Sequence, residues 1–185
     1  MRFVLLIGFV FAIGIFVGCK KNDSGTAKVE NKPFDPATYE NYGPIHPDPL
    51  VTVRTMENGE PSHISIQHVL IGFLGSIENP NVERDREEAE KLAKAVFEKA
   101  LAGDDFDTLV EDYTDDKIPG IYKLANFNVA GHRPGTIKKL WVWERTDMVP
   151  GFGDVGFKLD VGEIGMSEYD PVKSKLGWHI IKRVK

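Results

Sequence analysis

A proline-rich polar stretch limits the part of this chain that can fold. It runs from Lys20 to about Pro61 without helical or strand periodicity, and residues 43–49 alone contain three prolines. Such sequence cannot bury enough apolar surface to offset the entropy of ordering, and it favours extended polyproline-like backbone. We therefore interpret residues 19–61 as a flexible stalk and expect one folded domain over residues 62–185.

The first 18 residues have the layout of a secretory signal peptide. Arg2 is their only charge, and the apolar run from Phe3 ends in Gly18, directly before Cys19. The run is short for a membrane span with polar flanks. A small residue followed by cysteine resembles the bacterial lipobox, in which the cysteine thiol is diacylated; the alternative is an uncleaved anchor. Either way we expect a membrane-tethered, extracytoplasmic domain.

Lys20, the single cysteine and the net charge limit the location, the cross-links and the partners that we expect for this protein. Lys20 stands where an acidic residue signals inner-membrane retention in enterobacteria, which points to the outer membrane. Cys19 is the only cysteine, so no intramolecular disulfide can form. The net charge of −5 argues against nucleic acid as a partner, because phosphate binding needs a basic patch.

The first half of the domain predicts a strand followed by two helices. Residues 64–73 are rich in β-branched and aromatic side chains, which is typical of a strand. Residues 83–102 place apolar side chains three and four positions apart, and Gly103 follows as a helix stop. Asp104 or Asp105 can cap a second, short helix that carries Phe106 and Leu109 on one face.

The second half predicts a strand, a helix and two closing strands. After a loop over residues 114–120, the strands are expected at 122–127, 163–168 and 177–184, with a helix over 150–159. The resulting order, β-α-α-β-α-β-β, indicates an α+β domain on a mixed or antiparallel sheet.

Three blocks in this order resemble the parvulins, a family of small peptidyl-prolyl cis-trans isomerases (rotamases). The first is Ile66-Gln-His-Val-Leu-Ile71, and the second is Met148-Val-Pro-Gly-Phe152 with Gly162-Glu-Ile164. The third and most specific is Pro171 to Lys182, with its Gly-Trp-His-Ile-Ile strand. The resemblance covers residues 63–185 and implies a four-stranded, mostly antiparallel sheet with surrounding helices.

The resemblance also implies two sets of site residues. The polar set beside the isomerising bond consists of His68, Asp116, Ser174 and His179. The walls of the proline pocket consist of Leu124, Phe127, Met148 and Phe152. Two alternatives stay open for the histidines: an architectural hydrogen bond that closes the core, or a zinc site formed with the aspartate.

Two segments depart from the family pattern. Gly120-Ile-Tyr-Lys-Leu-Ala125 replaces the usual Gly-Gly-Asp-Leu-Gly, so the loop after Asp116 can run differently. An insert over residues 128–147 contains Trp141-Val-Trp143, an alternation that fits a flap or an extra hairpin beside the pocket. The alternative is a loop whose tryptophans pack on the domain without touching substrate.

Prolyl isomerisation requires no bond to be made, so we expect no cofactor and no metal. The barrier of about 18–20 kcal/mol is set by amide resonance, and the enzyme must favour a twisted amide over a planar one. We expect unfolded or partly folded polypeptides with X–Pro bonds, secreted or in the envelope, as substrates. The alternative is a catalytically weak domain that binds unfolded chains as a chaperone. No basic cluster follows the first strand, so no phosphate-directed specificity is expected.

Overall fold

A computed structural model describes residues 53–185. The predicted signal peptide, Cys19 and most of the predicted stalk lie outside the described residues. Eight helices and strands and two single-turn 3₁₀ helices, Lys138–Leu140 and Arg145–Asp147, make up this region. In chain order the eight are β1 His63–Ile71, α1 Arg86–Ala102, α2 Phe106–Tyr113, β2 Ile121–Ala125, β3 Val142–Glu144, α3 Pro150–Gly156, β4 Ile164–Ser167 and β5 Trp178–Arg183.

The sheet has five strands in the order β3-β2-β1-β5-β4, so the predicted four-stranded sheet is wrong by one strand. β1, β2, β4 and β5 pair antiparallel as expected. The extra strand comes from the insert: β3 pairs parallel to β2, with Leu124 opposite Trp143. Its three residues are too few to show a strand pattern in the sequence, and their partner is supplied only by the folded chain.

The two faces of the sheet carry different layers. α1 and α2 cover one face, where Val69, Ile71 and Ile180 join their apolar side chains in a core. α3 packs on the other face against Ile64, Ile66 and other side chains of the sheet. Because side chains alternate along β1, His68 lies on the α3 face, on the same side as Ile66 and Leu70.

Both long helices begin at aspartate caps. Asp85 caps α1 by accepting from the Glu88 N–H, and the Glu88 side chain accepts in return from the Asp85 N–H. The helix therefore starts at Arg86, three residues after the predicted start, and it ends at Gly103 as predicted. Asp105 caps α2 through the Thr108 N–H, which decides between the two predicted caps.

Residues 53–61 fold back on the domain instead of leading directly away from it. Thr55 and Pro61 form a β-bridge, and the Glu60 carboxylate binds Arg145 Nη1 at 2.7 Å and Asn126 Nδ2 at 3.1 Å. Arg145 is buried, and its Nη2 donates to Asp154 of α3 at 2.8 Å. This one guanidinium therefore joins the entry segment, the end of the insert and α3. None of the helices in residues 53–185 has the length and apolar character to cross a membrane.

Candidate active site

Two buried histidines on neighbouring central strands form the centre of the candidate site. In the antiparallel pairing of β1 with β5, His179 lies opposite Leu70 and His68 opposite Ile181, so both imidazoles project from the α3 face. Their Nδ1 atoms are 3.2 Å apart, and the two rings are nearly parallel. Each residue is only 3% exposed. The histidine pair expected from the sequence is thus brought into direct contact.

Asp116 and Tyr122 extend this pair into a four-residue network. Asp116 Oδ2 lies 3.1 Å from His68 Nε2 and accepts a hydrogen bond from the Tyr122 hydroxyl at 2.7 Å. Burial by itself would raise the pKa of Asp116, but the hydrogen bonds from His68 and Tyr122 outweigh it and hold that pKa well below its ordinary value. Burial and the charge of Asp116 raise the pKa of Tyr122. The network therefore holds one carboxylate and an un-ionised phenol.

The ionised carboxylate of Asp116 determines which nitrogen of His68 carries a proton. An ionised carboxylate only accepts, so His68 donates from Nε2. Burial, with the neighbouring His68 ring as a second cause, lowers the pKa of His179 to about 3, so this imidazole is neutral near pH 7. The two Nδ1 atoms are within hydrogen-bond distance of each other at 3.2 Å, so the other ring nitrogen of His179 is Nε2. That nitrogen is buried and makes no hydrogen bond within residues 53–185.

The loop over residues 114–120 is fixed to the edge of β1 that β2 leaves free. The pairing of β1 with β2 ends where Gln67 lies opposite Ile121. After Gln67, the next three N–H groups on this edge of β1 donate hydrogen bonds to the loop. The acceptors are the Gly120 carbonyl for His68 at 3.0 Å, Thr114 Oγ1 for Leu70 at 3.1 Å and Asp115 Oδ2 for Gly72 at 2.7 Å. The loop thus continues the pairing of β1 partly through side chains.

Arg84 completes this attachment from the β1–α1 connection. Its guanidinium is ion-paired with the partly buried Asp115, and its Nε donates to the Gly72 carbonyl at 2.9 Å. The Asp115 N–H in turn donates to the Leu70 carbonyl at 2.8 Å. Because Asp116 follows Asp115 directly, these bonds determine where the Asp116 carboxylate meets His68. Neither Arg84 nor Asp115 was singled out from the sequence.

Gly120 is the position in this loop that no other residue can occupy without strain. Its φ is +69°, and a Cβ placed there would lie 2.5 Å from the His68 carbonyl oxygen. Glycine supplies the positive φ and the close approach together. The altered segment after Asp116 therefore keeps the glycine that brings the loop back to β1, although the residues that follow differ from the family pattern.

An open cavity of about 500 Å³ lies beside the network. The Phe152 ring forms part of its wall and lies 4.9 Å from the His68 ring and 5.2 Å from the His179 ring, centroid to centroid. Tyr122 meets the rings of His68 and Phe152 edge to face at 5.3 and 5.8 Å. Further apolar lining comes from Leu70, Trp143, Met148, Val149 and Leu176. The polar network therefore borders an apolar slot.

Three of the predicted site residues do not line this cavity. Leu124 is fully buried in the core beneath Phe152. Phe127 was expected on the second strand, but β2 ends at Ala125, so the chain has left the sheet and the ring packs against Arg145, 4.3 Å from the guanidinium carbon. Ser174 is buried and donates to the Gly177 carbonyl at 2.9 Å, where it supports the turn before β5. Met148 and Phe152 do line the cavity.

Two lining residues had a signal in the sequence. Tyr122 lies two positions before Leu124 on β2, and the period of two alone places it on the site face. Trp143 belonged to the predicted alternation in the insert, and its register opposite Leu124 puts it on the same face. Of the alternatives for the insert, the structure has a short parallel strand whose Trp143 reaches the cavity. Within residues 53–185, no group of three or more His, Cys, Asp or Glu side chains is arranged to hold a metal ion.

Comparison with known proteins identifies relatives of this region. The family model for the PPIC-type PPIase domain matches residues 50–185. Over 117 residues the chain is 32% identical to the chaperone SurA of Chromohalobacter salexigens, covering 63% of this chain and 21% of that protein. Over 93 residues it is 37% identical to the foldase protein PrsA 4 of Bacillus cereus, covering 50% and 27%. The matches thus span about a fifth to a quarter of these two curated relatives.

Solved structures of other proteins are similar as well. The peptidyl-prolyl isomerase ESS1 from Candida albicans aligns with a TM-score of 0.47 at 22% sequence identity, covering 81% of this chain and 72% of that one.

Proposed function

Because this chain belongs to the PPIC-type peptidyl-prolyl isomerase (parvulin) family, we propose that it accelerates cis–trans isomerisation of X–Pro bonds in polypeptides that fold outside the cytoplasm. One observation carries the proposal: a partly buried His-His-Asp-Tyr network lies beside an apolar slot in a single cavity. The two parts match the two needs of the reaction, which are to hold a proline ring and to set the polarity around the amide that turns.

The slot supplies the grip. Phe152, Met148 and Trp143 offer apolar and aromatic surface for a proline ring, while the cavity stays open toward solvent for the rest of the peptide. A ring held in this slot stays fixed while the residue before proline rotates about the amide bond. Only interactions that are stronger in the twisted state than in the planar state lower the barrier.

The network supplies the second need. A twisted amide has lost resonance, and its carbonyl is less polarised than that of a planar amide. A neutral His179 beside Phe152 makes an environment of low polarity. The charge of Asp116 is stabilised by hydrogen bonds from His68 and Tyr122. This preorganised environment favours the less polarised state without a bond to any protein group. His68, Asp116 and His179 are the residues we propose for this role.

The direct test follows the cis-to-trans conversion of X–Pro peptides with the full chain and with Phe152→Ala. We expect the wild type to accelerate conversion and Phe152→Ala to lose most of that rate. Phe97→Ala, a matched loss of a ring on α1 in the other core, is the control that keeps the rate. If the wild type leaves the conversion at its uncatalysed rate, the proposal is wrong.

A second function has its own support: binding of unfolded chains without much turnover. Ile118, which lines the cavity, is 59% exposed, which leaves apolar surface at the mouth. The two curated relatives bear the names chaperone and foldase. Suppression of aggregation by the wild type, with no acceleration of X–Pro conversion by the wild type, would favour this function over the first.

We further propose that the domain is held at a membrane through a lipid on Cys19 and a stalk that begins there and ends before residue 53, since residues 53–61 pack on the domain. The signal-like residues 1–18 and the residue pair Gly18-Cys19 support this. Metabolic labelling with a radioactive fatty acid, in the wild type and in Cys19→Ala, tests it. We expect label and membrane fractionation only in the wild type, and label in both proteins would contradict it.

A further inference from the structure

Two exposed lysines, Lys117 and Lys138, line the cavity beside the network. Lys117 belongs to the loop over residues 114–120, one residue after Asp116, and Lys138 belongs to the 3₁₀ helix Lys138–Leu140 of the insert. Both side chains are exposed, and both residues line the same cavity as Phe152 and Trp143.

The carboxylates of the same cavity are already matched by donors. Asp116 accepts from His68 and Tyr122. Asp147 is ion-paired with Arg133 and accepts from the Glu144 N–H at 2.9 Å. By contrast, neither Lys117 nor Lys138 is ion-paired within residues 53–185. The charges at the mouth that are available to a ligand are therefore positive, in a chain whose net charge is −5.

Lys138 is also held near the slot by aromatic rings. Its Nζ lies 5.8 Å from the centroid of the Trp141 ring, and the Trp141 and Trp143 rings are 5.0 Å apart. Trp143 in turn lines the cavity. A cation stacked on an aromatic face loses fewer conformations on binding than a freely moving one. The insert therefore presents a positioned ammonium next to the wall of the slot.

We infer that the domain prefers X–Pro segments in which the residue before proline carries a carboxylate. The inference rests on the proposed function, since it takes the slot to hold the proline ring. The residue before proline is joined to that ring through the isomerising amide, so its side chain emerges at the mouth, where Lys117 and Lys138 lie. A carboxylate there gains attraction from both, and a lysine there is repelled.

The expected preference is modest because both lysines are exposed. Ion pairs at a solvated rim change affinity by about twofold to fivefold at low ionic strength. The effect should shrink as salt is added, since charges at a rim are screened beyond a Debye length of about 10 Å at 0.1 M salt.

The test measures kcat/KM of the full chain on three peptides that differ only before proline: Glu–Pro, Gln–Pro and Lys–Pro. We expect Glu–Pro to exceed Gln–Pro about threefold, Lys–Pro to fall below Gln–Pro, and the spread to close at 0.5 M salt. The double variant Lys117→Gln/Lys138→Gln should bring the Glu/Gln ratio close to one. Lys158→Gln, an exposed lysine that does not line the cavity, should keep the ratio.

Other outcomes separate this inference from the proposed function. Equal acceleration of all three peptides, or a Glu/Gln ratio that survives in the double variant, overturns the inference and leaves the isomerase function standing. If no peptide is accelerated, the proposed function fails, and binding of the same peptides followed by tryptophan fluorescence decides the inference: equal Kd for Glu–Pro and Gln–Pro overturns it, and tighter Glu–Pro binding lost in the double variant supports it.

Discussion

The two segments that border the cavity are attached to the domain in different ways. The loop over residues 114–120 meets β1 through a ladder of hydrogen bonds and a partly buried ion pair, Arg84–Asp115. The insert over residues 128–147 is held near its end by the buried Arg145, and its other attachments include the more exposed pair Arg133–Asp147 and the contact between the Trp141 and Trp143 rings. The loop carries Asp116, and the insert carries Trp143 and Lys138.

The difference shows which segment must hold its side chains in exact positions. A carboxylate that must meet an imidazole at hydrogen-bond distance needs backbone fixed on both sides, which the attachment to β1 provides. A rim that selects peptides tolerates small displacements, because long-range attraction and apolar contact vary slowly with distance. We therefore expect substitutions in the loop to change the rate strongly and substitutions in the insert to change it weakly.

The largest effect is expected for Asp116→Asn. The variant keeps the shape but removes the charge that holds the His68 proton on Nε2, so we expect kcat/KM on X–Pro peptides to fall about 100-fold. Asp112→Asn, an exposed position on α2, is the control and should retain the rate. A loss of less than threefold in Asp116→Asn would mean that the network is architectural, and the contrast between loop and insert would disappear.

Asp115→Ala tests whether the attachment itself matters. It leaves the Gly72 N–H and the Arg84 guanidinium without their acceptor, which should cost about 2 kcal/mol of unfolding free energy. The rate should fall about tenfold because Asp116 is no longer held. Asp115→Asn, which retains an acceptor oxygen, should fall between this variant and the wild type.

Stability loss alone must be separated from displacement of Asp116. Val96→Ala, in the core under α1, removes buried methyl groups far from the cavity and serves as the matched destabilised control. Urea unfolding should show lowered stability in both proteins, whereas the NMR chemical shifts of the His68 ring protons should change only in Asp115→Ala. Unchanged shifts of the His68 ring in Asp115→Ala would contradict the positioning role of Asp115.

The buried network also predicts how stability varies with pH. Burial lowers the pKa of His179 from 6.5 to about 3, so below pH 6.5 the unfolded chain takes up a proton that the folded protein does not. The stabilisation is fully present above pH 6.5 and is lost progressively toward pH 3. This residue should contribute a slope of about 1.4 kcal/mol per pH unit between pH 6 and pH 4.5.

Urea unfolding across that range measures the slope in the wild type and in His179→Gln. We expect the variant to have a slope shallower by about one proton, because glutamine does not titrate. Asp116 leaves this window undisturbed, since its lowered pKa makes its own contribution disappear only below about pH 4. Identical slopes in the two proteins would mean that His179 is protonated in the folded state.

The smallest effect is expected for Arg133→Gln in the insert. The variant removes a partly exposed ion pair with Asp147 and the stacking of the guanidinium on Trp143, 4.7 Å from its ring centroid. We expect a loss below about 1 kcal/mol of unfolding free energy and less than a threefold change in isomerase rate. Lys94→Gln, which breaks an exposed pair on α1, is the comparison. A tenfold loss of rate in Arg133→Gln would mean that the insert affects the isomerase rate as strongly as the loop does.

Much of the architecture could be predicted because it depends on local pattern. Gly103 marked the end of α1, an aspartate marked the start of α2, and strand-like stretches of sequence located four of the strands. At Gly177 the structure explains the residue that the sequence has. Its φ is +136°, and a Cβ there would collide with the Ile71 carbonyl oxygen, so the turn into β5 requires glycine. The predictions went wrong at Phe127, because strand ends depend on the competing contact with Arg145.

The sequence by itself predicted the order of the main helices and strands, because short-range periodicity carries that information. Its resemblance to the parvulins supplied the family and the candidates His68, Asp116, His179, Met148 and Phe152. Only the tertiary structure decided that Tyr122 binds Asp116, that Arg84 and Asp115 fix the loop to β1, and that the insert adds a parallel strand with Trp143 facing the cavity. These features join residues that are distant in the chain. Their partners are chosen by strand register and buried charge, which no local pattern records.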